Sequence, residues 1–235
     1  MGGKNCLIVD GDADLDEAIP AALNSAFGFA GQKCSAASRL LVHDAAYDQF
    51  TERMAGAVPN VLAGQAEEFG VDLGPVIDPD SVRRHAAYVD TAARDGRILA
   101  SAEVPGGGYF CRPTVAVDLP EGSDLLTDEV FAPLVTIERV ADLDAACALL
   151  EQSPFALTAG LFTRNPEQAR KVEEVAPVGN LYINRGITGA MVGRQPFGGN
   201  RLSGTGTKAG GPGYLNAFVE PRVVCENTMR HGLVV

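Results

Sequence analysis

Cys34 stands in the stretch GFAGQKCSAASR, residues 28–39, among small, polar and flexible neighbours. A cysteine kept for packing sits in an apolar run, as Cys147 does in DAACALL. Cys34 instead has Lys33 before it, Ser35 after it and Gly31 just upstream. The thiolate is the nucleophilic form of cysteine, and nearby cations and backbone N–H groups favour it. The setting is that of a reactive thiol. The residue alone leaves alternatives open. An isolated cysteine is more often an inert packing residue, and a Cys–His hydrolase would need His43, His85 or His231 beside Cys34. Lys33 reads equally as a solvated charge or as electrostatic help to the thiolate.

The remaining chemistry-bearing residues exclude several classes. The three histidines lie far apart, with no H-x-x-x-H or H-E-x-x-H spacing, so no metal centre is expected. Cys6, Cys34, Cys111, Cys147 and Cys225 are odd in number and contain no C-x-x-C pair. Neither a disulfide framework nor a structural zinc follows, and a reducing cytoplasm is the expected compartment. A formal net charge of −11 argues against nucleic acid as a partner. No apolar run is long enough to span a bilayer, and the opening MGGKNCLIVDGDADLDEA has no leader pattern.

The elements that must position Cys34 alternate between strand and helix, which predicts an α/β fold on a largely parallel sheet flanked by helices. NCLIVD reads as a buried strand. In DADLDEAIPAALNSAF, Leu15, Ile19, Leu23 and Phe27 recur at helical spacing, and Pro20 predicts a late start or a kink. RLLVH (strand) and AAYDQFTERMAGAV (helix) follow. SVRRHAAYVDTAARDG is a helix closed by Gly96, then come the strand RILAS and a glycine turn entering a strand in GGGYFCRPTVAVDL. PLVTIERV, DLDAACALLEQS, TAGLFT, NPEQARKVEEV and GNLYIN continue the alternation. Residues 185–214 are glycine-rich and aperiodic, a loop of functional length. AFVEPRVVCEN is strand-like again behind it.

Five motifs in order resemble the catalytic half of the aldehyde dehydrogenase superfamily. They are GGK at residues 2–4, GQKCSAASR around Cys34, LGPVID at 73–78, DEVFAP at 128–133, and PFGG at 196–199 followed by LSG. A narrower likeness, in GNLYINRGITGAMVGRQPFGG and LSGTGTKAGGPGYL, is to the Δ1-pyrroline-5-carboxylate (L-glutamate-γ-semialdehyde) dehydrogenases.

The resemblance implies that Cys34 attacks the aldehyde, hydride passes to NAD⁺, and a carboxylate base activates water to hydrolyse the thioester. It implies that Glu129 binds the nicotinamide-ribose hydroxyls, with Phe131 in the same cofactor motif. Gly189 and Ala190 match a backbone anchor for the substrate's α-carboxylate and α-ammonium, although they read equally as a turn. Ser35 matches the anchor's hydroxyl partner, Phe197 the aromatic wall of the aldehyde tunnel, and Lys33 fits the subgroup. A bare Glu before a strand would otherwise be a surface carboxylate.

The implied activity is NAD-dependent oxidation of glutamate semialdehyde to glutamate in proline catabolism, with residues 1–214 as catalytic domain. Residues 215–235 are then an oligomerisation strand and tail, which adds to another subunit in a homodimer or higher homo-oligomer. The family's base glutamate falls two positions before the Gly2 and Gly3 pair, so it and the dinucleotide-binding domain are expected to lie outside these 235 residues. So is an asparagine that gives the second oxyanion donor. The chain alone is therefore expected to be nearly inactive. Ala132 replaces the family's glycine, and Asn200 and Arg201 replace an aromatic-led pair. The other readings are a non-catalytic paralogue or interaction module that keeps the fold, or a dehydrogenase for another small aldehyde.

Overall fold

The computed structural model describes residues 2–228. A seven-stranded sheet has the order β3-β4-β5-β2-β1-β7-β8. β1 (Asn5–Val9), β2 (Ala37–His43), β5 (Leu134–Val140), β7 (Thr158–Phe162) and β8 (Asn180–Ile183) run parallel, with β4 (Thr114–Val117) parallel to β5. The edge strand β3 (Arg97–Ser101) pairs antiparallel with β4. β1 and β7 are buried at every residue, as a strand covered on both faces must be.

Each helix starts where a side chain can accept a free backbone N–H. Asp14 caps α1 (Leu15–Phe27), His43 caps α2 (Asp44–Ala57) and Asp78 caps α3 (Pro79–Asp95). Asp142 caps α4 (Leu143–Gln152) and Asn165 caps α5 (Pro166–Val175). Pro20 neither delays nor breaks α1. It lies on the exposed side, where water can serve the carbonyl of Asp16 that loses its N–H partner. Gly96 does end α3, though by close approach and not by a left-handed turn: its φ is −142°, and a Cβ would come within 2.5 Å of the Val117 carbonyl oxygen.

α1 and α2 pack on one face, joining Leu15, Ile19, Phe27, Phe50 and Met54 to Leu7, Leu40 and Ile137 of the sheet. On the other face α4 and α5 cover Cys6, Ile8, Leu41 and Leu161, while α3 covers Ala116. Arg39 is also buried on that face, in a two-pronged ion pair with Glu138 at 2.6 and 2.7 Å.

Residues 185–214 are mostly irregular, but they are tied down. β9 (Asn200–Arg201) pairs antiparallel with β6 (Phe155–Ala156), and Phe197 exchanges backbone hydrogen bonds with Ala209. The two-residue β6 and β9 are too short to leave a period in the sequence. The strand expected from Ala217 onward is not formed within the chain. Tyr214–Phe218 is a 3-10 turn, and residues 219–228 run exposed, with no ladder. A strand exists only by pairing, and residues 219–226 join no ladder among the described residues. His231 and the rest of the expected tail, residues 229–235, lie outside the described residues.

Candidate active site

The parallel strands put their amino ends on one edge of the sheet, and four of the five quoted motifs converge there. Residues 2–4 lead into β1, Cys34 lies just before β2, and residues 128–133 lead into β5. Residues 196–199 are held to the start of β8, where Asn180 Nδ2 donates to the Pro196 carbonyl (2.9 Å) and Gly198 N–H donates to Asn180 Oδ1 (3.2 Å). Open α/β sheets more often use the carboxyl edge. Here side-chain bonds tie the carboxyl ends of β1, β7 and β8 together, with Asp10, Asp12 and Asn184 gathered on Thr163.

Cys34 is presented on a tight turn. α1 runs into a 3-10 turn, Gly28–Gly31, in which Phe29 and Ala30 take left-handed backbone angles. The chain then turns over residues 33–36, closed by Ala36 N–H donating to the Lys33 carbonyl at 2.9 Å. Cys34 is exposed, and its Sγ and backbone N–H engage no protein partner among the described residues. The Lys33 ammonium lies 5.9 Å from the Phe29 ring, and Ser35 is buried behind the thiol, its carbonyl accepting from Thr158 Oγ1 at 3.5 Å.

The two glycines before β1 are needed for contact. Glu129 Oε1 accepts the Gly3 N–H at 2.8 Å, and a Cβ on Gly2 would come within 2.5 Å of Glu129 Oε2. A Cβ on Gly3 would overlap the Cys34 carbonyl oxygen. Glycine here lets the carboxylate and the thiol turn share one strip of backbone. Gly31, at φ +68°, lies so close to the Ala132 carbonyl that a Cβ would stand 2.6 Å from it. Gly31, Lys33, Glu129 and Phe131 thus line one hollow, with Phe131 exposed at φ 55°. Ala132 is not among the residues with positive φ, so alanine fits where the family has glycine.

α3 and Lys4 hold the Glu129 loop from behind. Arg84 donates to the Val130 carbonyl (2.9 Å), Tyr88 to Asp128 (2.7 Å) and Lys4 to the Asp128 carbonyl (2.8 Å). Burial, and then the Arg39 charge, lower the Lys4 pKa to about 8. Sequence reading missed Lys4 and Asn5 as site-building residues. Asn5 Nδ2 donates to the carbonyls of Cys34 and Ala36, both at 2.8 Å. The available signal was a polar pair opening an otherwise apolar buried strand.

Gly189 (φ +81°) and Ala190 are exposed, and no hydrogen bond joins them to Cys34 among the described residues. They lie on a loop steered toward the thiol edge. Ile187 N–H donates to Ser25 Oγ (3.1 Å), near the end of α1 that leads to Cys34. Phe197 is half-buried beside Ala209. No histidine serves Cys34 among the described residues. His43 caps α2 at the far end of β2, and His85 is buried, its pKa lowered by desolvation.

Fold and site define a doubly wound α/β unit that displays one exposed thiol beside a carboxylate-bearing loop. The chain belongs to the aldehyde dehydrogenase family, which it matches over residues 1–224. It is 39% identical over 227 residues to 1-pyrroline-5-carboxylate dehydrogenase 2 of Bacillus subtilis, covering 96% of this chain and 44% of that protein. Among solved structures, proline utilization A from Bdellovibrio bacteriovorus is 46% identical with a TM-score of 0.93, covering 99% of this chain and 24% of that one. The Thermus 1-pyrroline-5-carboxylate dehydrogenase with bound NAD is 40% identical with a TM-score of 0.89, covering 94% and 43%. The chain thus spans less than half the length of these relatives.

Proposed function

We propose that this chain is the thiol-bearing half of an NAD-dependent dehydrogenase that oxidises L-glutamate γ-semialdehyde to L-glutamate, a step of proline breakdown. The observation that carries the reading is the exposed Cys34 turn packed, through Gly3, against the loop of Glu129. The relatives named for 1-pyrroline-5-carboxylate supply the substrate class.

The thiolate of Cys34 attacks the aldehyde carbon, forming a C–S bond as the carbonyl becomes an oxyanion. The Cys34 N–H, which no protein acceptor engages among the described residues, is one donor for that charge. NAD⁺, when bound, supplies the hydride acceptor. The residues present fit it: a partly buried carboxylate, Glu129, suits ribose hydroxyls, and the exposed Phe131 ring offers an apolar wall in the same hollow. Loss of the hydride leaves a thioester on Cys34, which water cleaves to the acid. Ser35, Gly189 and Ala190 are the proposed holders of the substrate's amino-acid end, and Phe197 the proposed wall of its path. Lys33 supports the thiolate from one side.

The same reading makes residues 1–214 the catalytic unit and residues 215–235 an assembly segment, in a homodimer or larger homo-oligomer. A reducing, cytoplasmic compartment suits five free thiols. Among the described residues, no helix is long and apolar enough to cross a membrane. The test is NADH formation from glutamate semialdehyde, with this chain supplied together with the dinucleotide-binding half of the Bacillus subtilis relative. NADH formation that Cys34→Ala abolishes supports the proposal. An assembled complex that forms no NADH from the semialdehyde refutes it.

A further inference from the structure

We propose that Asn5 is the positioning residue of the nucleophile, its side-chain amide holding the turn that presents the Cys34 thiol and N–H. The proposal rests on the reading of Cys34 as nucleophile. Asn5 opens β1 and is 3% exposed. Both protons of Nδ2 go to the turn, one to the Cys34 carbonyl and one to the Ala36 carbonyl. Oδ1 accepts the N–H of Thr158 at 3.1 Å, at the start of β7. One amide therefore pins the thiol turn to β1 and β7.

The geometry at Cys34 follows from these bonds. The peptide plane before Cys34 contains the Lys33 carbonyl, which Ala36 N–H holds. The plane after it contains the Cys34 carbonyl, which Asn5 holds. With both planes fixed, the direction of the Cys34 side chain and of its own N–H is fixed as well. Gly3 lies against the same carbonyl and blocks the turn from swinging across. A preorganised donor costs no rearrangement when charge develops on the substrate oxygen. Few side chains could replace this one. Aspartate has the shape but offers only acceptors to two carbonyl oxygens, and serine offers one donor.

The test is the pH profile of alkylation by iodoacetamide, mapped peptide by peptide, with exposed Cys225 as the reference in the same chain. Asn5→Asp and Asn5→Ser are compared with the unsubstituted chain. Both should slow Cys34 alkylation at pH 7, about tenfold for Asn5→Asp, while Cys225 is unchanged. Asn5→Ser adds no charge, so a shift in the same direction there separates positioning from electrostatics. Folded variants with a lowered melting temperature but an unaltered Cys34 profile would overturn the proposal and leave Asn5 a purely structural residue. Should neither variant fold, hydrogen exchange on the unsubstituted chain decides: protection at Ala36 matching that at Thr158 supports the clamp, and rapid exchange at Ala36 overturns it. Failure of the underlying reading looks different. Cys34 reacting no faster than Cys225 in the unsubstituted chain would remove the nucleophile, and this inference with it.

Discussion

Gly3 and Glu129, 126 positions apart in sequence, meet through one 2.8 Å hydrogen bond, and Cys34 touches the other side of the same glycine. Thiol chemistry at this site is separable from that of the other cysteines. Burial pushes Cys6 and Cys111 up to about 11 and raises Cys147 as well, whereas Cys34 and Cys225 are exposed. Iodoacetamide at neutral pH should therefore label Cys34 first, ahead of Cys225, with Cys6, Cys111 and Cys147 labelled slowly or only after unfolding. Peptide mapping that finds Cys147 as fast as Cys34 would refute this. Lys4 gives a second test. Its pKa falls from 10.5 unfolded to about 8 folded, so between those values the unfolded chain binds more protons and stability rises with pH. Below pH 8 the full penalty of a buried charge is present, about 3 kcal/mol for such a shift. Lys4→Met removes the penalty and a hydrogen bond worth about 1 kcal/mol, so it should stabilise the chain at pH 7 by about 1–2 kcal/mol. The gain should shrink from pH 8 to 10.5 in paired denaturant melts, and a difference independent of pH would refute the assignment.

Two loops make the site possible at the scale of elements, one entering β2 and one entering β5, pressed together where Gly31 meets Ala132. Gly31→Ala forces a side chain into a left-handed backbone and against a carbonyl at once. The strain alone costs about 1–3 kcal/mol. Denaturant melts should show at least that loss, and the Cys34 alkylation rate should fall with it. A variant of unchanged stability would mean that the loops can part freely. Most of this architecture was legible in the sequence, because strand-like and helix-like runs alternate, with a 3.6-residue apolar period in α1 and a largely apolar run in β1. Cys34, Glu129 and the two glycines could be picked out as motif residues. Their mutual contact could not, since nothing in spacing says which loop of a parallel sheet lies on which. The roles of Asn5 and Lys4 were hidden for the same reason, and so was the pairing of β6 with β9. The reach of Gly189 and Ala190 toward the thiol remains a matter of the proposed function.

At the scale of the whole molecule, residues 215–224 expose a run of large apolar side chains. Leu215, Phe218, Val219, Val223 and Val224 are each at least 65% exposed and follow one another within ten residues. Apolar side chains so concentrated on one segment mark a contact surface more than a tail that stays in water. Residues 219–226 also join no ladder among the described residues, while β8 forms an edge of the seven-stranded sheet. An unpaired strand and an unpaired edge are complementary, and pairing between copies would close both. A two-fold arrangement uses each segment once and leaves no open end to grow a filament. Light scattering on the full chain should therefore report a dimer or a larger closed assembly. Deletion from Asn216 onward should shift it toward monomer while the circular dichroism of the remaining sheet and helices is retained. A full chain that stays monomeric at high concentration, or a deletion that leaves the assembly intact, would remove the tail from the interface.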